Sequence, residues 1–275
     1  MALQEIDPKS AREIICVYGS PTSGKTRLAT SLPERFGKLL YIPFDEGGEG
    51  LMSVMTPYRE RITVIKPDGT DPKLGVVRDL FDLYTTKWAE KGYNTIILDT
   101  MSRLTYTALD LVASDKVQMV RQGTGRRLGE PGQPGFIQLA DEGHYGAMNS
   151  VVLNFVSNLI NLQPTMNIIF VCHEQAADDK SVVGGPGFAG RAVGKWLPTL
   201  CQNAVIRVAR TETQKIDKSG VVVKTVKRQA WVAPHGTWIA RRAENSMEIP
   251  TMDKVDLDRD PINFWRTYDE SKGAV

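Results

Sequence analysis

GSPTSGKT, residues 19–26, fits the pattern G-x-x-x-x-G-K-[S/T] at every fixed position. It follows the apolar run EIICVY at 13–18 and opens a helix-like segment that begins at Lys25. In this setting backbone N–H groups can surround a phosphate, and the helix N-terminus adds partial positive charge. The spacing predicts a P-loop in which Lys25 reaches the β- and γ-phosphates and the Thr26 hydroxyl ligates Mg²⁺. The predicted nucleotide-binding residues are Gly19, Ser20, Pro21, Thr22, Ser23, Gly24, Lys25, Thr26 and Arg27.

Acidic residues follow two other apolar runs. TIILD ends in Asp99, at a strand tip where a P-loop site needs its second contact to Mg²⁺. KLLYIPFDEGGEG places Asp45, Glu46 and Glu49 just past another strand, where a carboxylate can polarise the water that attacks a γ-phosphate. We choose Glu46 because the Gly-Gly that follows lets it approach the nucleotide. An acidic surface turn is the alternative interpretation.

His173 follows the strand-like run NIIFVC. A polar side chain at the tip of the strand beside the Mg²⁺ strand can sense the γ-phosphate and pass its state to the next loop. An ordinary exposed or hydrogen-bonded histidine at a strand end fits the same spacing.

The order of segments predicts an α/β fold with a mainly parallel central sheet. Buried parallel strands are predicted at 13–18, 38–44, 95–99 and 167–172, with a weaker one at 61–66. Helices are predicted at 25–32, 74–90, 104–119 and 146–162. Past Val205, two extended segments flank a turn at 217–220, which predicts a long antiparallel hairpin added to one edge of the sheet. We interpret 1–275 as one domain, with a core at about 13–209, an antiparallel extension at about 205–242 and a tail at 243–275.

Composition excludes several classes of protein. The 275 residues are 41% hydrophobic and 24% charged with a net charge of +2, which argues against a polybasic binder. No apolar run approaches the roughly 20 residues of a membrane helix. The first residues lack an export signal, so we expect a cytoplasmic protein with no membrane contact. Cys16, Cys172 and Cys201 lack zinc-like spacing, which predicts buried free thiols.

Two long connections, at 122–138 and 174–194, exceed the length of ordinary loops, which is typical of functional or disordered segments. The first carries Arg126 and Arg127 in a Gly-rich segment, as is typical of a phosphate-contacting loop. Phe136 and Phe188 either stack on bases or anchor a small core. Basic residues of the hairpin region fit either a binding surface or a solvated face; they are Lys224, Lys227, Arg228, Arg241 and Arg242.

Taken in order, these motifs resemble RecA-like ATPases, and most of all the small phage-encoded RecA-like nucleotide-binding proteins, which include single-strand annealing recombinases. The resemblance covers about 13–242 and rests on GSPTSGKT, YIPFDEGG, TIILDT, DEGHYGAMNSVV, IIFVCHEQ and WIARR. It implies a RecA-like P-loop NTPase core that binds and hydrolyses ATP with Mg²⁺. It also implies that Glu46 is the base for water and that His173 is the γ-phosphate sensor. Pro43 and Phe44 depart from the family, where an acidic residue is frequent, which keeps Asp45 as the alternative base.

The resemblance further implies a homo-oligomer, either a ring or a filament. The loops after the Asp99 and Cys172 strands would then face a central axis and hold single-stranded DNA. A basic residue after the second loop would reach the neighbouring subunit's nucleotide, and Arg191 and Lys195 both lie in the matching stretch, GRAVGKWL. For a phage-encoded protein the implied compartment is the host cytoplasm.

The predicted function is therefore an ATP hydrolase that binds single-stranded DNA as an oligomer, for phage DNA recombination or annealing. An ATP-dependent loader, a helicase-like motor and a regulatory P-loop subunit of a replication complex are the alternatives. A small-molecule kinase is disfavoured, because no Arg-rich lid follows the core and an antiparallel tail is foreign to small kinases.

Overall fold

The strands and helices follow the predicted order along the chain. The computed structural model describes residues 12–45, 56–67, 75–113, 127–128, 137–138, 142–177, 184–216, 222–232, 234, 238–242, 254–257 and 261–270. The strands are β1 (Ile14–Gly19), β2 (Leu39–Pro43), β3 (Ile62–Val64), β4 (Thr95–Asp99), β5 (Arg127–Leu128), β6 (Ile137–Gln138), β7 (Asn167–Gln175), β8 (Gly185–Gly187), β9 (Ala204–Ile216), β10 (Val222–Trp231), β11 (Arg241–Arg242) and β12 (Lys254–Asp256). The helices are α1 (Lys25–Thr30), α2 (Thr56–Arg59), α3 (Gly75–Thr85), α4 (Met101–Ala113), α5 (Glu142–Leu162), α6 (Arg191–Leu200) and α7 (Pro261–Glu270).

Within these described residues, ten strands form one sheet whose main path runs β12-β10-β9-β1-β7-β4-β2-β3. Every pair from β9 through β1, β7, β4 and β2 to β3 is parallel. At the other edge β10 pairs antiparallel with β9, and β12 pairs antiparallel with β10. The predicted α/β core with a mainly parallel sheet and a C-terminal antiparallel hairpin is confirmed. The division of the chain into domains stays a prediction.

Both faces of the sheet are covered, because side chains of successive strand residues point to opposite faces. On β7, Ile168 and Phe170 pack with α3, α4, α5 and α6 on one face. The residues between and after them, Ile169 and Val171, pack with α1 and α7 on the other. This double coverage explains why the central strands read as continuous apolar runs.

The C-terminal tail, to which the sequence analysis assigned no role, packs against the P-loop helix. Phe264, Trp265 and Tyr268 of α7 are fully buried. The Trp265 indole N–H donates to the carbonyl oxygen of Leu28 at 2.9 Å. Arg35 adds an ion pair to Asp269, with Nε 2.8 Å from Oδ2. The tail is thus part of the layer that covers α1.

Gly19 allows β1 and β9 to approach closely at the start of the P-loop. A Cβ atom at this position would lie 2.0 Å from the carbonyl oxygen of Val208, which is its partner in the β1–β9 register. Because the nearest atom belongs to the backbone, no side-chain rotation could relieve the clash. The first glycine of the motif is therefore required by sheet packing as well as by phosphate access.

Three further predictions concern cysteines, membranes and loops. Cys16, Cys172 and Cys201 are buried free thiols, as predicted. No helix in the described ranges is long and apolar enough to cross a membrane. In the first long connection, β5 and β6 form a two-stranded antiparallel ladder that the sequence did not predict.

Candidate nucleotide site

The P-loop turns between the end of β1 and the start of α1 through two residues with positive φ. Gly24, directly before the helix, has a φ of 100°, which glycine adopts without strain. Thr22 has a φ of 61°, which is rare for a β-branched residue. Two arginines of the antiparallel hairpin contact this loop tip. Arg210 Nη1 donates to Thr22 Oγ1 at 3.2 Å, and Arg228 Nε donates to the Thr22 carbonyl oxygen at 3.3 Å.

Lys25 points into the loop. Its Nζ donates to the carbonyl oxygen of Ser20 at 2.7 Å, and only 6% of the residue is exposed. Burial lowers the pKa of Lys25 from its ordinary value, and the negative charge of Asp99 opposes that shift. The site therefore holds a poorly hydrated cation at the position where the motif requires one to meet phosphate charge.

The two predicted Mg²⁺ ligands lie in contact. Thr26 Oγ1 donates to Asp99 Oδ2 at 2.5 Å, and the Tyr41 hydroxyl donates to the same oxygen at 2.7 Å. Asp99 is 4% exposed, and burial raises its pKa while these two hydrogen bonds oppose the rise. Mg²⁺ is normally held by one or two oxygen ligands from the protein together with phosphates and water. The hydroxyl and the carboxylate fit that requirement.

Asp45 and Thr100, which follow β2 and β4, line the same cavity as His173, which lies two residues before the end of β7. Thr100 Oγ1 lies 3.5 Å from Asp45 Oδ1. The backbone N–H of His173 donates to Ser102 Oγ at 2.8 Å. Its imidazole Nδ1 is buried with no hydrogen-bond partner among the described residues. His173 lines the cavity, and its predicted contact to a γ-phosphate stays a prediction.

The stability of the fold should fall as His173 takes up a proton. Burial, and then the positive charge of Lys25, lowers the pKa of His173 below its ordinary 6.5. As pH falls through about 6.5, the unfolded chain therefore binds protons before the folded state does, and stability is lost. We expect His173→Gln to lessen the drop in Tm between about pH 7 and pH 5, measured by thermal unfolding.

Comparison at about pH 8, where the imidazole is neutral in both states, gives the baseline for packing effects of the substitution. A Tm drop in the variant as steep as in the wild type would show that His173 is not titrated in this way.

A cavity of about 750 Å³ joins these groups. The predicted residues that line it are Pro21, Thr22, Gly24, Lys25, Thr26, Arg27, Asp99 and His173. Its volume lies in the range of sites that bind small ligands and cofactors. The structure thus brings most of the predicted nucleotide residues to one concave site.

Glu46, Arg126 and Phe136 are outside the described residues, so their roles stay predictions. Arg191 and Lys195 are one turn apart on α6. Lys195 is not among the described residues that line the cavity, and the side chain of Arg191 is outside the described part of the structure. Of the two roles predicted for Phe188, the structure supports the core anchor, because this residue is 7% exposed and packs in the core.

Sequence reasoning gave no role in the site to several residues of the cavity and its rim: Leu28, Tyr41, Pro43, Thr100, Arg210, Leu257 and Pro261. Arg228, which it named only among the basic residues of the hairpin, also lines the cavity. Tyr41 carried a weak signal, as a lone hydroxyl within the apolar run of β2. The pairing of β9, β10 and β12 brings Arg210, Arg228 and Leu257 near the motif. Pro261 begins α7, which contacts α1.

Comparison with known families agrees with this geometry. A family model described as an AAA domain matches residues 11–242, which is most of the chain. No curated protein matches the sequence. The match spans the P-loop, the Asp99 and His173 strands and the hairpin, and ends before Leu257 and Pro261. The chain therefore belongs to the AAA domain family and has the core of a P-loop NTPase.

Proposed function

We propose that this protein hydrolyses ATP with Mg²⁺ and binds single-stranded DNA as a homo-oligomer, for recombination or annealing of phage DNA. The observation that carries the ATPase proposal is the contact of Thr26 Oγ1 with Asp99 Oδ2, beside buried Lys25, in a cavity of suitable size. A P-loop hydroxyl and a strand-end carboxylate on one metal position are the arrangement that phosphoryl transfer requires.

Each group then has a distinct task. Lys25 places positive charge against the β- and γ-phosphates, and Asp99 with Thr26 holds the metal. Mg²⁺ held by these two residues would neutralise charge that develops on the phosphate oxygens. Glu46 accepts the proton of the attacking water in our proposal, with Asp45 as the alternative base. His173 contacts the γ-phosphate.

Hydrogen bonds link this end of the cavity to the second long connection. The Ser102 hydroxyl accepts from the backbone N–H of His173 and donates to the carbonyl oxygen of Gly187. Gly187 belongs to β8, which pairs antiparallel with the end of β7. In our proposal, a change at His173 is passed through Ser102 to β8, which lies within the second long connection at 174–194. This supports a DNA-coupled ATPase over one whose turnover is independent of a partner.

The test measures ATP turnover with and without a single-stranded oligonucleotide, alongside the mass of the assembly in each state. We expect stimulation by the single strand, with masses at multiples of the 30.5 kDa chain. A duplex of the same length is the matched ligand control, and should stimulate less.

Turnover that ignores single-stranded DNA in a monomeric protein would contradict the DNA and oligomer proposals and favour a small-molecule kinase. Assembly without DNA stimulation would favour a loader or regulatory subunit.

A further inference from the structure

We infer that Arg228 and the C-terminal segment at Leu257 and Pro261 form the subsite that holds the base of the nucleotide. The inference rests on the proposed function, and assigns a role to a segment that lies outside the family match at 11–242. We call Arg228, Leu257 and Pro261 the base wall. All three line the nucleotide cavity.

The order of strands divides the cavity into two ends. β1, which leads into the P-loop, lies between β7 and β9. On the β7 side the strand tips carry His173, Asp99 and Asp45. On the β9 side lie β10 and β12, which bring Arg228 and Leu257 to the cavity.

The terminal phosphate belongs on the side of the metal-binding acid and the base for water, because the reaction occurs there. A nucleotide whose phosphates thread the P-loop must then extend its sugar and base toward the opposite side. The base wall lies at that opposite side of the cavity.

The base wall has the chemistry of a site for a flat aromatic group. A planar guanidinium can stack on a base. The apolar side chains of Leu257 and Pro261 can pack against a base but offer no hydrogen bond or charge to a phosphate. Both apolar residues are largely buried, with Leu257 only 5% exposed. Apolar walls with a few placed polar groups are typical of sites for organic ligands.

The backbone fixes the members of the base wall relative to one another. The backbone N–H of Leu257 donates to the carbonyl oxygen of Arg228 at 2.9 Å, which continues the β10–β12 ladder. The Arg228 side chain is held against the P-loop, since its Nε donates to the Thr22 carbonyl oxygen and its Cδ passes close to Gly24. A subsite built before the ligand arrives loses less conformational entropy on binding.

The tail is also anchored behind the base wall. Trp265 donates to the Leu28 carbonyl oxygen, and Asp269 pairs with Arg35. The first contact joins α7, which begins at Pro261, to the helix that opens with the P-loop lysine, and the second joins α7 to the short turn that follows this helix. Direct contacts therefore link the base-wall segment to the P-loop helix.

The test compares two ligands of the full-length protein by calorimetry: ATP, and inorganic tripolyphosphate, which has the phosphates but no base. We expect Arg228→Ala and Leu257→Ala each to weaken ATP binding about tenfold, the scale of a lost stacking or apolar contact. Binding of tripolyphosphate should stay within about twofold of the wild type. Retained tripolyphosphate binding also reports that each variant is folded.

Lys227→Ala is the matched control, because it removes the same charge from the neighbouring, exposed position of β10. It should change neither affinity. Equal losses for both ligands in Arg228→Ala would overturn the inference and make Arg228 a phosphate contact. Unchanged ATP binding in both variants would also overturn it. Failure of the wild type to bind either ligand would instead contradict the proposed nucleotide function itself.

Discussion

Lys25→Met is expected to lower ATP turnover by about a hundred- to a thousandfold, the loss typical when one preorganised charge donor is removed from an active site. Methionine keeps the length and apolar stem of lysine, so the substitution removes the charge with little change in packing. The lost cation is the one that the motif places against the β- and γ-phosphates. Transition-state charge would then develop without its nearest protein counter-charge.

The same substitution should not unfold the protein. Burial lowers the pKa of Lys25 more than Asp99 raises it, so the charged ammonium is disfavoured where it stands. Replacing it by an apolar side chain removes that cost, although the hydrogen bond to Ser20 is lost as well. We therefore expect the Tm of the variant to be equal to or above that of the wild type. Replacing a residue that serves function at the expense of stability usually has this effect.

Turnover is measured by phosphate release, and Tm by calorimetric or fluorescence unfolding. Lys87→Ala is a suitable control, because Lys87 is highly exposed and pairs only with a surface glutamate, Glu90, in its described contacts. Wild-type turnover in Lys25→Met would refute the P-loop assignment. A collapse of Tm would refute the argument that Lys25 serves the ligand rather than the fold.

Mixing two inactive variants is expected to restore ATP turnover, if a cation from one subunit acts at its neighbour's site. A cation that reaches the nucleotide of a neighbouring subunit is called a finger, and it stabilises charge on the transferred phosphoryl group. In related ATPases and GTPases it raises the rate of phosphoryl transfer by roughly 10³–10⁵. Arg191 and Lys195 are the candidates. They are four residues apart on α6. Lys195 is not among the described residues that line the chain's own cavity, as an action on the neighbour requires.

One partner in the mixture is Lys25→Met, which lacks a working P-loop but keeps its finger. The other carries Arg191→Ala and Lys195→Ala, and keeps its P-loop. In a random equal mixture with head-to-tail contacts, about a quarter of the interfaces join an intact P-loop to an intact finger. Activity should recover accordingly. We expect Arg191 to matter more when each residue is replaced singly, because its planar fork can hold two phosphate oxygens.

Subunit exchange is verified by mass measurement of tagged and untagged chains. No recovery in assemblies shown to be mixed would rule out a finger on α6. Full activity of the Arg191→Ala, Lys195→Ala protein alone would do the same. Lys87→Ala in place of the double variant controls for loss of surface charge.

Much of the site was predictable because its central part is contiguous. GSPTSGKT folds into a loop whose shape depends on its own glycines and on the strand and helix at its ends. Asp99 and His173 could be placed because each ends an apolar run, and parallel strands end at one edge of a sheet. The hairpin was predictable from two extended segments around one turn. In each case the signal lies within a few neighbouring residues.

The tertiary structure alone decided which distant side chains complete the cavity. Arg228 has the same sequence signature as Lys224 and Lys227. Of these three, only Arg228 has a hydrogen bond to the P-loop among the described contacts, because β10 pairs with β9 in one register. Phe188 looked like a loop aromatic and is a core residue. Leu257 and Pro261 had no signal, since their role depends on α7 covering α1.

The P-loop, the strand order along the chain and the acids at the strand tips could therefore be predicted from the sequence, because local spacing specifies each of them. The tertiary structure decided the nucleotide cavity's far wall and the partners of Asp99. Those contacts join residues separated by tens to hundreds of positions, as Thr26 with Asp99 and Thr22 with Arg228 show. These contacts depend on strand register and helix packing. Both are determined by interactions along the whole chain and not by any single segment.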